Sequence, residues 1–226
     1  MTTATADATP TATFGFDPAQ ATAHLCTADP ALGMVIDTVG PFGMQLKSSR
    51  SLFGSLAEAI VYQQLSTKAA ATIYGRLEAL YPRATQGFTP LHILRSPDEK
   101  LRGVGLSRAK VLALRDLAQR VAQRQLPTLE EAQALADDAL IERLIEVRGI
   151  GRWSAEMFLM FRLGRADVLP VDDYSLRKAY AAAFRKRKLP SGEALTKAGE
   201  RWRPYRTVAS WYLWQTLNAP ATKDRK

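Results

Sequence analysis

Residues 136–164, ADDALIERLIEVRGIGRWSAEMFLMFRLG, place two glycines one residue apart between stretches whose apolar residues recur at helical spacing. That combination admits few geometries: a helix, a tight turn at Gly149-Ile150-Gly151, and a second helix. Glycine tolerates positive φ and lets a ligand approach without a Cβ clash. The second helix adds amide groups that lack intrahelical acceptors and the positive end of its dipole, which together favour an anion such as a phosphate. The same turn would serve equally to pack two helices, and the glycine pair alone does not decide between these roles. The earlier Gly103-Val104-Gly105 has a similar local design and reads as a packing turn.

Strand-like alternation is scarce and helical spacing continues almost everywhere after about residue 50, so the fold class is all-α. From Ser51 the apolar positions Leu52, Leu56 and Ile60, then Ala70, Ile73 and Leu77, predict two helices with a corner near Ser66. A short helix and a longer one that buries Leu114, Leu117, Ala118 and Val121 follow. The segment DPALGMVIDTVGPF predicts a helix packed on this body, and RPYRTVASWYLWQTL predicts a last helix that is aromatic on more than one side. The expected organisation is a disordered leader at 1–13, a helical domain over 14–218 with its helix-hairpin-helix at about 140–163, and a frayed tail at 219–226.

Thirty-one Lys and Arg against 22 Asp and Glu give a formal charge of +9, which favours a polyanion, nucleic acid or an anionic membrane. The single cysteine, Cys26, excludes an internal disulfide framework and a four-cysteine zinc or iron–sulfur site, and the two histidines, His24 and His92, lie far apart. No catalytic metal and no cofactor are expected. The start MTTATADATPTAT lacks the pattern of a signal peptide, no apolar run approaches membrane-spanning length, and no basic amphipathic helix stands out. A cytoplasmic chain is therefore expected, associated with the nucleoid if bacterial. The run RKRK at 185–188 reads as a solvated face or a phosphate contact.

About twenty residues beyond the hairpin, LPVDDYSLRK sets Asp172 and Asp173 at a helix start. Either carboxylate has an ordinary explanation as a cap. Hairpin and acid together, however, resemble the helix-hairpin-helix superfamily of DNA glycosylases. Within it, GIGRWSAEMF, LPVDDYSLRK and RWRPYRTVASWYLWQTL, in family order and spacing, are most similar to 3-methyladenine DNA glycosylase II, and the likeness covers roughly residues 45–217. The resemblance implies two helical subdomains with the active-site cleft between them. It also implies a partner, double-stranded DNA containing alkylated bases such as 3-methyladenine or 7-methylguanine, contacted by a monomer through Gly149, Ile150, Gly151, Arg152 and Ser154.

By the same resemblance the catalytic carboxylate falls on Asp173, with Leu176 and Arg177 matching the family's following residues and Asp172 as runner-up, a residue that would instead cap or brace the helix. Bifunctional relatives such as endonuclease III carry a lysine nucleophile before the Ser-Ala of the second hairpin helix; here that position is Trp153, so Schiff-base chemistry lacks its amine. Trp153 and Trp214 match positions that line the base pocket, where an aromatic face can hold a cationic alkylated purine, although each would otherwise read as a core aromatic. Met157 stands where some relatives have an aromatic, implying a softer pocket and a broader choice of bases. The turn YQQLS aligns with the loop that fills the gap left by a flipped nucleotide, with Gln64 at the wedge position and Gln63 and Leu65 beside it.

Some relatives prepend a mixed α/β domain, which is not expected here. The competing reading from another class is a non-catalytic helix-hairpin-helix DNA-binding protein.

Overall fold

The computed structural model describes residues 13–218. The expected leader lies outside them except for Thr13, as does the expected tail at 219–226. The described residues form helices without any strand: α1 (Pro18–Ala28), α2 (Pro30–Val39), α3 (Leu52–Tyr62), α4 (Thr67–Ala79), α5 (Pro90–Arg95), α6 (Asp98–Gly103), α7 (Arg108–Ala122), α8 (Leu129–Ala134), α9 (Asp137–Ile145), α10 (Arg152–Phe161), α11 (Tyr174–Ala183), α12 (Gly192–Gly199), a 3-10 turn (Glu200–Trp202) and α13 (Arg206–Asn218). The chain divides into two compact units, Lys47–Phe158 on the one hand, and Thr13–Leu46 with the chain from Leu159 on the other.

In the Lys47–Phe158 unit the helix starts are written locally. Ser51, Ser66 and Ser107 cap α3, α4 and α7 through their hydroxyls, and Thr128 with Glu131 forms a reciprocal capping box at α8. Helix α7 is the hub, packing against α3, α5 and α6. Its Leu114, Leu117 and Ala118 are fully buried, as are Leu56 and Ala57 of α3, whereas Val121 and Ile73 are only half-buried because they sit at the rim. Arg115 of α7 donates to the carbonyls of Ile93, Leu94 and Ser96 at 3.3, 3.3 and 2.6 Å, placing a cation at the negative end of α5.

In the other unit, α1 and α2 pack with α11 and α13, although more than a hundred residues separate them in sequence. The helix expected within residues 29–42 is α2, and a second helix with no counterpart in that expectation, α1, precedes it. Helix α1 escapes the periodicity argument because only Ala21 and Leu25 of its eleven residues are buried, amid small and polar neighbours. Asp29 joins the two ends of the chain: it caps α2 by accepting from Ala31 and Leu32 at 3.2 and 3.3 Å and accepts the indole N–H of fully buried Trp202 at 2.9 Å. Such a buried carboxylate is tolerated only because its oxygens are satisfied.

Candidate functional site

The hairpin lies in the Lys47–Phe158 unit. Helix α9 ends, the amide of Val147 donates to Leu144 O at 3.2 Å and that of Ile150 to Val147 O at 2.9 Å, and α10 begins at Arg152. Ile150 is 4% exposed, so the residue between the glycines anchors the turn in the core while Gly149 and Gly151 face outward. Gly149 has φ of +82°, and a Cβ there would sit 3.4 Å from Ala113 Cβ on α7; at Gly151 a Cβ would meet no protein atom within 4 Å. Neither glycine amide has an acceptor among the described residues. The turn is fastened to α7 by Asp116, which accepts from the Arg148 amide at 2.8 Å and from Arg120 at 3.1 Å, while Arg120 also reaches Glu146 at 2.9 Å.

Arg152 is engaged by the protein itself, 3.1 Å from the buried carboxylate of Glu156 and 3.6 Å from Asp138. The Asp138 pair is exposed on both sides and weak, about 0–1 kcal/mol, whereas the Glu156 pair neutralises a buried carboxylate and holds the guanidinium more firmly. The three candidates for the wedge separate. Gln63 turns inward, its amide donating to Gly149 O at 2.8 Å and to Ser154 Oγ at 3.4 Å, which brings Gln63, Gly149 and Ser154 together. Gln64 and Leu65 are exposed, and Gln64 adopts a left-handed φ of +56°. Trp153, on the first turn of α10, is 47% exposed, so the core-aromatic explanation does not hold for it; Met157, one turn later on the same face, is half-buried.

Asp173, Asp172 and Trp214 belong to the second unit. Asp173 is the N-cap of α11, its Oδ1 accepting from the Leu176 amide at 2.5 Å and from the Trp214 indole N–H at 3.2 Å. The capping role considered for Asp172 therefore belongs to Asp173; Asp172 is exposed, with its Oδ1 beside Gly192. Trp214, on α13, is half-buried and stacks on Phe161 with centroids 6.2 Å apart and planes at 26°. Arg177 donates to Pro190 O at 2.6 Å, closing the loop after α11, on which residues 185–188 are exposed. No group of three or more His, Cys, Asp or Glu that could hold a metal occurs among the described residues.

The model of the HhH-GPD superfamily of base excision DNA repair proteins matches residues 57–204. The chain belongs to that superfamily. DNA-3-methyladenine glycosylase 1 of Schizosaccharomyces pombe is 36% identical over 198 residues, covering 85% of each chain. The solved structure of a Schizosaccharomyces pombe 3-methyladenine DNA glycosylase in complex with abasic DNA is similar with a TM-score of 0.77 at 35% identity, over 88% of this chain and 97% of that one. The DNA-3-methyladenine glycosidase of Bacillus halodurans gives a TM-score of 0.80 at 35% identity, over 88% and 89%. The fold is that of the helix-hairpin-helix DNA glycosylases.

The HhH-GPD match takes in the 63–66 loop, the hairpin and Asp173, but stops before Trp214 and leaves out α1 and α2. Two groups that act on these residues have no signal in the sequence. Lys110 and Asp116 of α7 hold the loop and the hairpin by bonds to partners more than thirty positions away. No local pattern announces such contacts.

Proposed function

We propose that this chain is a base excision repair DNA glycosylase that hydrolyses the N-glycosidic bond of alkylated bases in duplex DNA and leaves an abasic site without cutting the strand. One observation carries the reading: a half-buried carboxylate, Asp173, held by an amide and an indole N–H at the start of α11, in a chain whose hairpin helix carries Trp153 where a lyase needs an amine. The hairpin amides of Gly149 and Gly151 grip a phosphate and contribute no base reading. Gln64 and Leu65 fill the stack as the nucleotide flips.

A purine alkylated at N3 or N7 is already cationic. When the C1′–N bond breaks, its electron pair goes to the base, which leaves neutral and needs no general acid. The positive charge moves to the sugar as an oxocarbenium ion, and the Asp173 carboxylate stabilises it and orients the water that adds at C1′, a proton being lost to solvent. Trp153 offers the electron-rich face that suits the cationic base. Met157, flexible where a ring would be rigid, widens the range of bases accepted. A Met157→Tyr variant narrows it, read as relative excision rates over a panel of methylated purines; an unchanged ranking removes Met157 from the selectivity argument. The chain acts as a monomer in the cytoplasm and needs no cofactor.

The test compares wild type with Asp173→Asn on duplex DNA carrying 3-methyladenine or methylated purines, with free base and abasic sites measured before and after alkali. Base release by wild type, lost in the variant, with breaks only after alkali, is the expected result. Strand breaks before alkali overturn the lyase-free mechanism, and tight DNA binding without base release by wild type favours a binding module.

A further inference from the structure

A loop that fills a base stack must keep its shape against the duplex, since unstacking a step costs a few kcal/mol. The 63–66 loop joins α3 to α4 through few residues and contains Gln64 in a left-handed conformation that L-residues adopt reluctantly. Its rigidity comes from outside. The Lys110 ammonium, from α7, donates to Val61 O at 2.6 Å and to Gln63 O at 2.9 Å, closing the end of α3 where carbonyls lack helical partners. A cation at a helix C-terminus is also favoured by the dipole. Burial lowers the Lys110 pKa from its ordinary value, and the part-buried ammonium gives up some of its hydration for these two carbonyls.

The Gln63 side chain extends the same chain of contacts to the hairpin, at Gly149 O and Ser154 Oγ. Helix α7 also holds the hairpin, through Asp116 on the Arg148 amide and with Ala113 close enough to Gly149 that a Cβ there would touch it. Residues 110, 113 and 116 lie within two turns of one helix, so a single rigid element carries the supports of both the loop and the phosphate-binding turn.

We propose that Lys110 is a positioning residue that, through the carbonyls of Val61 and Gln63 and the Gln63 strut to Gly149, presents Gln64 and Leu65 to the duplex as a preformed wedge in fixed register with the hairpin. The inference rests on the glycosylase reading. Lys110 touches neither base nor sugar; its effect passes through the loop.

The test measures single-turnover excision of one lesion in two settings, a fully paired duplex and a bulge in which the lesion is already unstacked, for wild type, Lys110→Met, Lys110→Arg and Gln63→Ala. Lys110→Met and Gln63→Ala lose about ten- to a hundredfold on the paired duplex, the range that misplacement on the order of 1 Å produces, and stay close to wild type on the bulge. Lys110→Arg recovers part of the loss. Equal losses on both substrates, or no loss on the duplex, overturn the proposal. Gln63→Ala, which removes a half-exposed side chain, carries the test if Lys110→Met does not fold. If wild type releases no base from either substrate, the glycosylase reading falls, and 2-aminopurine beside the lesion decides the role of Lys110. Unstacking by wild type that Lys110→Met abolishes sustains it; equal signals overturn it.

Discussion

The two hairpin glycines separate folding from DNA binding when each is replaced by alanine. At Gly149 the backbone is left-handed, φ of +82°, and an L-residue there costs roughly 1–2 kcal/mol. The added methyl would sit 3.4 Å from Ala113 Cβ, an ordinary contact that adds no clash. At this size 1 kcal/mol moves Tm by about 2–4 °C, so Gly149→Ala lowers it by about 2–8 °C. At Gly151 the φ lies outside the left-handed region and a methyl meets nothing within 4 Å. Removing glycine's freedom in the unfolded chain stabilises by about 0.4–1 kcal/mol. Against this, Gly151 precedes α10 and its carbonyl accepts the first helical bond, from Ala155 at 3.1 Å, a position where alanine is worse than glycine by about the same amount. The net change is within about 0.5 kcal/mol, or roughly 2 °C.

If the open space above Gly151 belongs to a phosphate, the methyl enters it and weakens a hydrogen bond to a charged group, worth about 1.5–3 kcal/mol. Affinity then falls roughly ten- to a hundredfold. The slope of log K against log salt stays that of wild type because no cation is removed, whereas Arg148→Ala lowers it by about 0.9 if that side chain neutralises one phosphate. Urea melts and fluorescence anisotropy with a duplex containing an abasic-site analogue measure all three variants. A Gly151→Ala protein that melts and binds as wild type refutes the phosphate assignment, since nothing in the fold would mask the effect.

Asp173→Ala removes a cap as well as a charge and loses about 0.5–2 kcal/mol of stability, while Asp173→Asn, an equally good cap, keeps most of it yet loses base release by about 10²–10³; urea melts beside single-turnover rates check this, and equal destabilisation by both would mean the cap bond is not what the side chain supplies. Trp214→Phe retains a ring against Phe161 and deletes the N–H that holds Asp173 Oδ1, so the excision rate falls while DNA affinity stays that of wild type; a loss confined to affinity contradicts the positioning role. Burial raises the pKa of Tyr212, with a smaller rise from the charge of Cys26 opposed by a hydrogen bond with Thr22, and burial also raises that of Tyr180. The folded chain therefore holds phenolic protons that the unfolded chain releases at about pH 10, and stability present below that pH is lost as pH rises above it. Tyr212→Phe, which also deletes the 3.2 Å bond to Gly40 O, lowers stability by about 1 kcal/mol near neutral pH and flattens the alkaline loss in urea melts; an unchanged slope would exclude Tyr212 as its source.

What the sequence discloses is what its chemistry keeps local. Gly149-Ile150-Gly151 and the apolar positions of α9 and α10 are close neighbours in the chain, so a turn and its flanking helices can be read from spacing. Asp173 is legible for the same reason, as a capping residue three positions before the Leu176 amide that it accepts from. The residues that hold these groups in place are not. Trp214 lies 41 positions from Asp173, Gln63 lies 86 from Gly149, and Asp29 lies 173 from Trp202. Each bond exists only once the helices have packed, and neither periodicity nor composition registers a single polar atom meeting another across a core. Gln63 shows the consequence: its position beside the proposed wedge is readable, but its inward turn is not.

Asp173 also shows why two readings of an acidic helix start need not compete. A carboxylate chosen only to cap α11 would be satisfied by the Leu176 amide. Here the same Oδ1 also takes the indole N–H of Trp214, from a different helix, and that indole is itself braced by Phe161. Two donors from separate elements leave the charged group little freedom to rotate. An electrostatic stabiliser works best when its orientation is settled before charge develops, because reorganisation at the moment of bond breaking would return much of the gain. Capping, which folding demands in any case, supplies half of that orientation, and the indole supplies the rest. On the proposed mechanism, the structural role of Asp173 is thus a precondition of its chemical one.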